Sequence, residues 1–298
     1  MRTALIGGSG FIGQWILRSA PEAERFVVVD RAPPPEDTPA QVEYRQADVL
    51  AESVESLLDE VDSVVLLAAV RPKARWYNEA ARDYATNVSI ATRIFDACYR
   101  RGITNVVFTS TISVYGEQNR VPFDEHQVPQ PGSYYGLAKV ASERVAQYLN
   151  RDRSMGIKCL RLAHVVGAGE REEYMFMKFV RAAARKETIQ VYGHGEGRRE
   201  YVYVKDVAGA VMEALRHGGA GGVFNVGTGV NISHRELAEM INSVFGNDGN
   251  LEMRGDQPED REVDRMAVTK ASNQLGWRAV WTLRQALEDI HSIVATSG

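Results

Sequence analysis

Short runs of β-branched and aromatic residues alternate, through the first half of the chain, with amphipathic stretches of helical length. Residues 3–6, 26–30, 42–46, 63–68, 105–110 and 158–162 read as strands. Between them the apolar spacing predicts helices over 10–19, 54–58, 80–101 and about 135–150. Strands that alternate with helices imply a parallel sheet covered on both faces, an α/β doubly wound architecture. Beyond Gly167 the rhythm changes. Glycine-rich connections at Gly193, Gly195 and Gly197, and again from Gly218 to Gly222, separate predicted helices at 173–185, 207–216, 234–245 and 283–292. The pattern predicts a sheet domain over 1–166, rejoined by segments near 198–229, and a smaller C-terminal lobe over 167–298 that faces it across a cleft. Residues 31–39, with four prolines, read as a loop.

Composition narrows the partners. The 298 residues carry 35 Lys and Arg against 39 Asp and Glu, a formal charge of −4, so the basic excess of a nucleic-acid binder is missing. Cys98 and Cys159 lie in apolar stretches and fit a reducing compartment. No apolar run approaches the ~18 residues of a membrane span, and the first residues run straight into a strand, so a cytoplasmic protein is expected. His126, His194, His217, His234 and His291 are scattered without ligand spacing, and no metal is expected.

The first candidate site is Gly7-Gly8-Ser9-Gly10-Phe11-Ile12-Gly13, directly after a strand and opening a helix. Glycines at positions 1, 4 and 7 of such a turn let the backbone approach a pyrophosphate, and the N–H groups at the helix start point at its oxygens. A plain tight turn is the bland alternative. Asp30 ends the second strand, about 20 residues on, where a carboxylate accepts both ribose hydroxyls and repels a 2′-phosphate. This favours NAD over NADP in a Rossmann-type domain, although Arg31 next door is suited to a 2′-phosphate. Asp48, followed by Val49 after the third strand, reads either as an adenine contact or as a turn aspartate.

The second candidate site combines Ser110-Thr111-Ile112-Ser113-Val114-Tyr115-Gly116 at a strand end with Tyr135-Gly136-Leu137-Ala138-Lys139 at a helix start. Tyr135 and Lys139, four apart, share a helical face. A buried ammonium beside a phenol favours phenolate, pulling a pKa of ~10 toward neutrality and making the tyrosine a general acid or base. An amphipathic surface pair is the alternative, and the neighbouring dinucleotide fingerprint weighs against it.

Together these motifs resemble the extended short-chain dehydrogenase/reductase family, whose members include sugar-nucleotide epimerases, dehydratases, decarboxylases and reductases. The resemblance covers nearly the whole chain. It includes Leu67-Ala68-Ala69 beside the cofactor, Asn87 in the long helix, Arg199-Glu200-Tyr201-Val202-Tyr203-Val204-Lys205-Asp206, Phe224-Asn225-Val226-Gly227-Thr228-Gly229 and Leu275-Gly276-Trp277. It implies NAD as cofactor, with Gly7, Gly10 and Gly13 at the pyrophosphate. It further implies Tyr135 as acid/base, Lys139 on the nicotinamide ribose, and Thr111 on the reacting sugar oxygen with Ser113 beside it.

Absences choose among the family's chemistries. Dehydratases carry Asp-Glu directly after the strand-end Thr, where this chain has Ile112 and Ser113, and decarboxylases carry Glu at the position of Ser113. Neither replacement can do acid/base work. The expectation is therefore a UDP-hexose 4-epimerase, similar to UDP-glucose 4-epimerase, that oxidises C4 transiently, lets the 4-keto sugar turn and returns the hydride. The rivals are a 4-keto sugar-nucleotide reductase using NAD(P)H and a non-catalytic NAD-binding regulatory protein.

By the same resemblance Arg199 binds the substrate's diphosphate, where its planar fork suits paired oxygens, and Tyr192 packs on the base or ribose or is a plain edge-strand aromatic. Two departures stand out. His164 replaces the usual Asn and is either a donor to substrate or a structural imidazole, and Arg254 in Met253-Arg254-Gly255-Asp256 lies one position closer to Gly-Asp than usual. The resemblance also implies a homodimer through four helices, two from each subunit, with Ile94, Cys98 and Val145 facing either the core or that partner.

Overall fold

The computed structural model describes all residues except 22, 36, 37, 39–41, 72–79, 219, 220, 297 and 298, so part of the proline-rich loop lies outside the described residues. The first half forms β1 (Arg2–Ile6), α1 (Phe11–Ser19), β2 (Arg25–Asp30), β3 (Glu43–Gln46), α2 (Val54–Leu57), β4 (Ser63–Leu66), α3 (Ala80–Arg100), β5 (Asn105–Thr111), α4 (Tyr134–Arg153) and β6 (Gly156–Leu162). There follow β7 (His164–Val166), α5 (Met175–Ala184), β8 (Ile189–Tyr192), β9 (Arg198–Tyr203), α6 (Val204–Arg216), β10 (Gly222–Val226), β11 (Asn231–Ser233), α7 (His234–Phe245), β12 (Leu251–Arg254), α8 (Thr269–Leu275) and α9 (Leu283–Thr296).

Among the described residues, seven strands make one parallel sheet in the order β10-β6-β5-β4-β1-β2-β3. The strand runs Ala4–Ile6, Val27–Val29, Val64–Leu66 and Val106–Phe108 are buried throughout, which is why they read as continuous apolar runs rather than alternating ones. Ile90, Ile94, Phe95 and Cys98 of α3 and Ala146 of α4 pack on one face, so Ile94 and Cys98 face the core of the protomer. Ile16 of α1 and Val207 and Val211 of α6 cover the other face. Strand order reverses between β1 and β4, and at such a switch point the loops at the strand C-termini diverge and leave a crevice.

Beside this sheet stand a three-stranded sheet, β11-β9-β7, and a parallel pair, β12-β8. Phe176, Phe179 and Val180 of α5, Leu237 and Ile241 of α7 and Leu287 of α9 form their common core. The N-terminus of α7 is fixed by a reciprocal cap in which Ser233 accepts from the Glu236 N–H and Glu236 accepts from the Ser233 N–H.

Most helices and strands match the sequence expectations within a few residues. The fourth strand stops at Leu66 instead of residue 68, although the Leu67 and Ala68 N–H groups still bond Ile6 O at 2.9 and 2.8 Å. The helix expected from 207 begins at Val204, directly after β9.

Candidate active site

The turn from β1 to α1 is built by close backbone approach. Gly7 has φ +83°, and a Cβ there would stand 2.7 Å from the Ala68 backbone; a Cβ on Gly13 would stand 2.3 Å from Gly8 O. Gly10 precedes α1 and supplies no side-chain cap. The first-turn N–H groups of Phe11, Ile12 and Gly13 are therefore left for an anion.

A cavity of about 410 Å³ opens against this turn. Gly7, Gly10, Phe11, Ile12, Gly13, Asp30, Arg31, Asp48, Val49, Leu67, Ala68 and Ala69 all line it. Asp30 accepts the Ser9 N–H at 3.2 Å and the Ala32 N–H at 3.1 Å, which orients its carboxylate at the end of β2. Asp48 accepts the Leu50 N–H at 2.9 Å, so it caps a turn and borders the cavity at once. A glycine cradle, an open helix N-terminus and an oriented carboxylate are together the donor and acceptor set that a dinucleotide requires. These residues fit NAD.

Sequence reasoning missed the opposite wall. Arg71 lies just past Ala68-Ala69, and Glu170 lies in the connection after β7, 99 residues away; their side chains meet at 3.1 Å, and both line the cavity. The Arg71 guanidinium also lies 4.7 Å from the centroid of the Tyr174 ring.

A second cavity, of about 1730 Å³, lies between the sheet and the smaller lobe, and Val70 lines both. Asn87, Ser113, Tyr135, His164 and Arg199 border it. Asn87 is thus on the larger cavity, buried, with its amide donating to Val70 O at 2.9 Å and accepting from Val70 N at 2.7 Å. It clamps the chain between β4 and α3.

Ser133 caps α4 by accepting the Gly136 N–H at 3.1 Å. A Cβ on Gly136 would stand 2.2 Å from Ser113 O, so glycine lets α4 start against the end of β5 and brings Tyr135 beside Ser113 on the cavity wall. Thr111 accepts the Ser113 N–H at 3.2 Å and caps the 3₁₀ turn Ile112–Val114. It is not among the residues lining the large cavity, whereas Ile112 and Ser113 are.

Lys139 is buried one turn beyond Tyr135. Its Nζ donates to Thr109 O at 2.7 Å and lies 5.7 Å from the Tyr135 ring centroid. Burial pushes the Lys139 ammonium down to about 7, against the opposing pull of Glu143. Burial also raises the Tyr135 phenol, opposed by the nearby Arg71 guanidinium. The expected lowering of Tyr135 by Lys139 is thus not what the polypeptide alone produces, because the dry surroundings penalise phenolate more than the neighbouring cations favour it.

Behind the pair lies a buried polar network. Arg161 of β6 grips Glu143 of α4 at 2.7 and 3.0 Å and donates to Tyr115 Oη at 2.7 Å; Ser110 donates to Glu143 at 2.5 Å and Tyr115 donates to Asn225 at 2.9 Å. These bonds lock the strand-end loop to α4, and so hold Ser113 and Tyr135 in register.

On the lobe side, Arg199 of β9 and His164 of β7 meet at Asp264, whose Oδ2 lies 2.9 Å from both side chains. Asp260 and Glu262 reach the same guanidinium at 2.6 and 2.7 Å. Tyr192 and Arg254 are not brought to either cavity wall: they are register partners at the end of the β8–β12 pair, where Tyr192 is exposed and Arg254 pairs with Asp256 at 3.2 Å.

A family model described as "NAD dependent epimerase/dehydratase family" matches residues 4–227. The UDP-glucose 4-epimerase of Mycolicibacterium smegmatis is 30% identical over 304 residues, covering 96% of this chain and 96% of its own. Among solved structures, a UDP-N-acetylglucosamine 4-epimerase from Bacillus cereus is 31% identical with a TM-score of 0.88, over 99% of this chain and 96% of that one. The UDP-glucose 4-epimerase of Thermotoga maritima, solved with UDP-glucose, is 27% identical with a TM-score of 0.91, over 100% of this chain and 99% of that one.

Proposed function

The chain belongs to the NAD-dependent epimerase/dehydratase family, within the extended short-chain dehydrogenases/reductases, and from that premise we propose that it is a sugar-nucleotide 4-epimerase of the UDP-hexose type. The observation that carries the reading is the pairing of Tyr135 on the large cavity with Ile112 and Ser113 beside it. Neither Ile112 nor Ser113 is a carboxylate that could remove a C5 proton or assist loss of a carboxyl group, which favours chemistry that moves one proton at the sugar C4 oxygen.

NAD, held by the Gly7–Gly13 turn and Asp30, would supply a reversible acceptor for the C4 hydride. Tyr135 takes the proton from the C4 hydroxyl as C4 is oxidised and gives it back to the keto oxygen as C4 is reduced. Lys139, bonded to Thr109 O, is one turn behind that phenol and supports its charged form when itself protonated. Arg199 holds the diphosphate, so remote binding energy retains the substrate while the sugar turns. The cavity of about 1730 Å³ leaves room for that turn. Thr111 acts by fixing Ser113 at the sugar, since Ser113 is the hydroxyl on the wall.

The test is to incubate the purified protein with UDP-glucose, UDP-galactose and their N-acetyl forms without added cofactor, and to separate the products by chromatography. Interconversion is expected, with NAD released on denaturation, and Tyr135→Phe should lower turnover by about 10²–10⁴-fold. Failure to interconvert, with oxidation of added NADH by a 4-keto sugar nucleotide, would replace the epimerase by a reductase. Tyr99 on α3 and Leu137 and Tyr148 on α4 are exposed, which supports a homodimer built on those helices; light scattering at twice the protomer mass is the expected result.

A further inference from the structure

Arg199 is in an unusual electrostatic position for a residue that must receive a diphosphate. Its Nη1 lies 2.9 Å from Asp264 and 2.7 Å from Glu262, and its Nη2 lies 2.6 Å from Asp260. Three carboxylates therefore share one guanidinium that is only 15% exposed. His164 does not restore the balance, because it shares Asp264 with Arg199. The nearby cations Arg198 and Arg261 are engaged by Glu236 and Glu259. An incoming diphosphate thus meets a guanidinium whose two terminal nitrogens already face carboxylates, and like charges a few ångströms away.

The three carboxylates are not equivalent. Asp264 is buried, and its second oxygen accepts the Glu200 N–H at 2.6 Å, so it belongs to the frame of β9. Asp260 and Glu262 are 37% and 47% exposed. Their carboxylates reach water, so these two pairs are screened and exchange more readily than the buried one. The backbone beneath Glu262 is fixed, since Glu262 O accepts the Arg198 N–H at 2.9 Å; Glu262 therefore leaves Arg199 by side-chain rotation alone, while Asp260 also gives up the Glu262 N–H that its Oδ1 accepts at 3.1 Å, an exposed bond that water replaces. Rotation of both would free one N–H on each terminal nitrogen, the parallel pair that grips two phosphate oxygens.

We propose that Asp260 and Glu262 are internal stand-ins for the substrate's diphosphate, occupying the Arg199 fork in the ligand-free chain and exchanging with the diphosphate of a nucleoside diphosphate sugar as it binds. This rests on the nucleotide-sugar reading above. The exchange keeps a buried guanidinium paired at all times, and it lowers affinity for the nucleotide, which favours release of product.

The experiment titrates UDP calorimetrically into the parent protein, Asp260→Asn, Glu262→Gln and the double variant at one ionic strength, then repeats the comparison in an Arg199→Met background. Each single change should tighten UDP binding about 2–5-fold and the double change about tenfold, and the gain should vanish without Arg199. Each single variant carries the test if the double variant is thermally impaired. Equal or weaker binding by the variants, with the parent binding UDP, overturns the exchange and makes the carboxylates orienting groups. A gain that survives in Arg199→Met also overturns it, in favour of a general charge effect. Absence of UDP binding in parent and variants alike overturns the nucleotide-sugar reading and this inference with it.

Discussion

Replacing Lys139 by methionine should stabilise the cofactor-free protein, even though it removes a residue of the reaction. The stem of Lys139 is buried and methionine fills nearly the same volume, so the change removes mainly a charge. The ordinary lysine value of 10.5 falls to about 7 in the folded chain. At about 1.4 kcal/mol per pH unit, that difference corresponds to about 5 kcal/mol against folding; the lost bond to Thr109 O returns about 1 kcal/mol. The sign follows from proton counting. Between about pH 7 and 10.5 the unfolded chain binds a proton that the folded chain has lost, so parent stability rises with pH in that window. Below about 7 both states are protonated and the penalty is complete. Denaturant titrations of parent and Lys139→Met, stripped of cofactor, should differ most at pH 6–7, by about 3–4 kcal/mol in favour of the variant, and converge toward pH 10. A variant no more stable than the parent at pH 6, or a difference independent of pH, would refute the reasoning.

Gly13→Ala places a methyl group 2.3 Å from Gly8 O, and backbone cannot yield as a side chain would; NAD retained through purification should drop sharply with a loss of about 1–3 kcal/mol in stability, and full retention would count against the cradle. Glu143→Gln leaves the buried Arg161 guanidinium without its counter-charge and should cost about 3–5 kcal/mol by urea titration; an unchanged midpoint would show that Ser110 and Tyr115 suffice to hold the network.

The sheet was readable because its strands are buried on both faces and separated by long helices, two signals that survive without tertiary knowledge. The cofactor wall was readable for a similar reason, since Gly7, Gly10, Gly13 and Asp30 are specified by local backbone geometry over a short stretch. Beyond β6 the long helices were readable and the strands were not. Strands such as His164–Val166 and Asn231–Ser233 have three residues each, too few for any periodicity to register. The Glu143–Arg161 pair was hidden because each member looks like a surface charge until α4 and β6 are packed together. Asp260, Glu262 and Asp264 drew no reading from the sequence, because the guanidinium that gathers them lies some sixty residues earlier. Tyr192 and Arg254 were chosen one by one as nucleotide handles, and nothing in their spacing showed that they are neighbours in register on a separate pair of strands.

Strand β10, the last of the central sheet's seven strands in chain order, closes the edge of that sheet beside β6. A ribosome making this protein must therefore pass residue 226 before the main-chain groups along that edge of β6 find their partners. Until then the nascent chain presents β6 as an unpaired parallel edge, a row of open N–H and C=O groups able to recruit a neighbouring strand, and β10 is what removes that hazard.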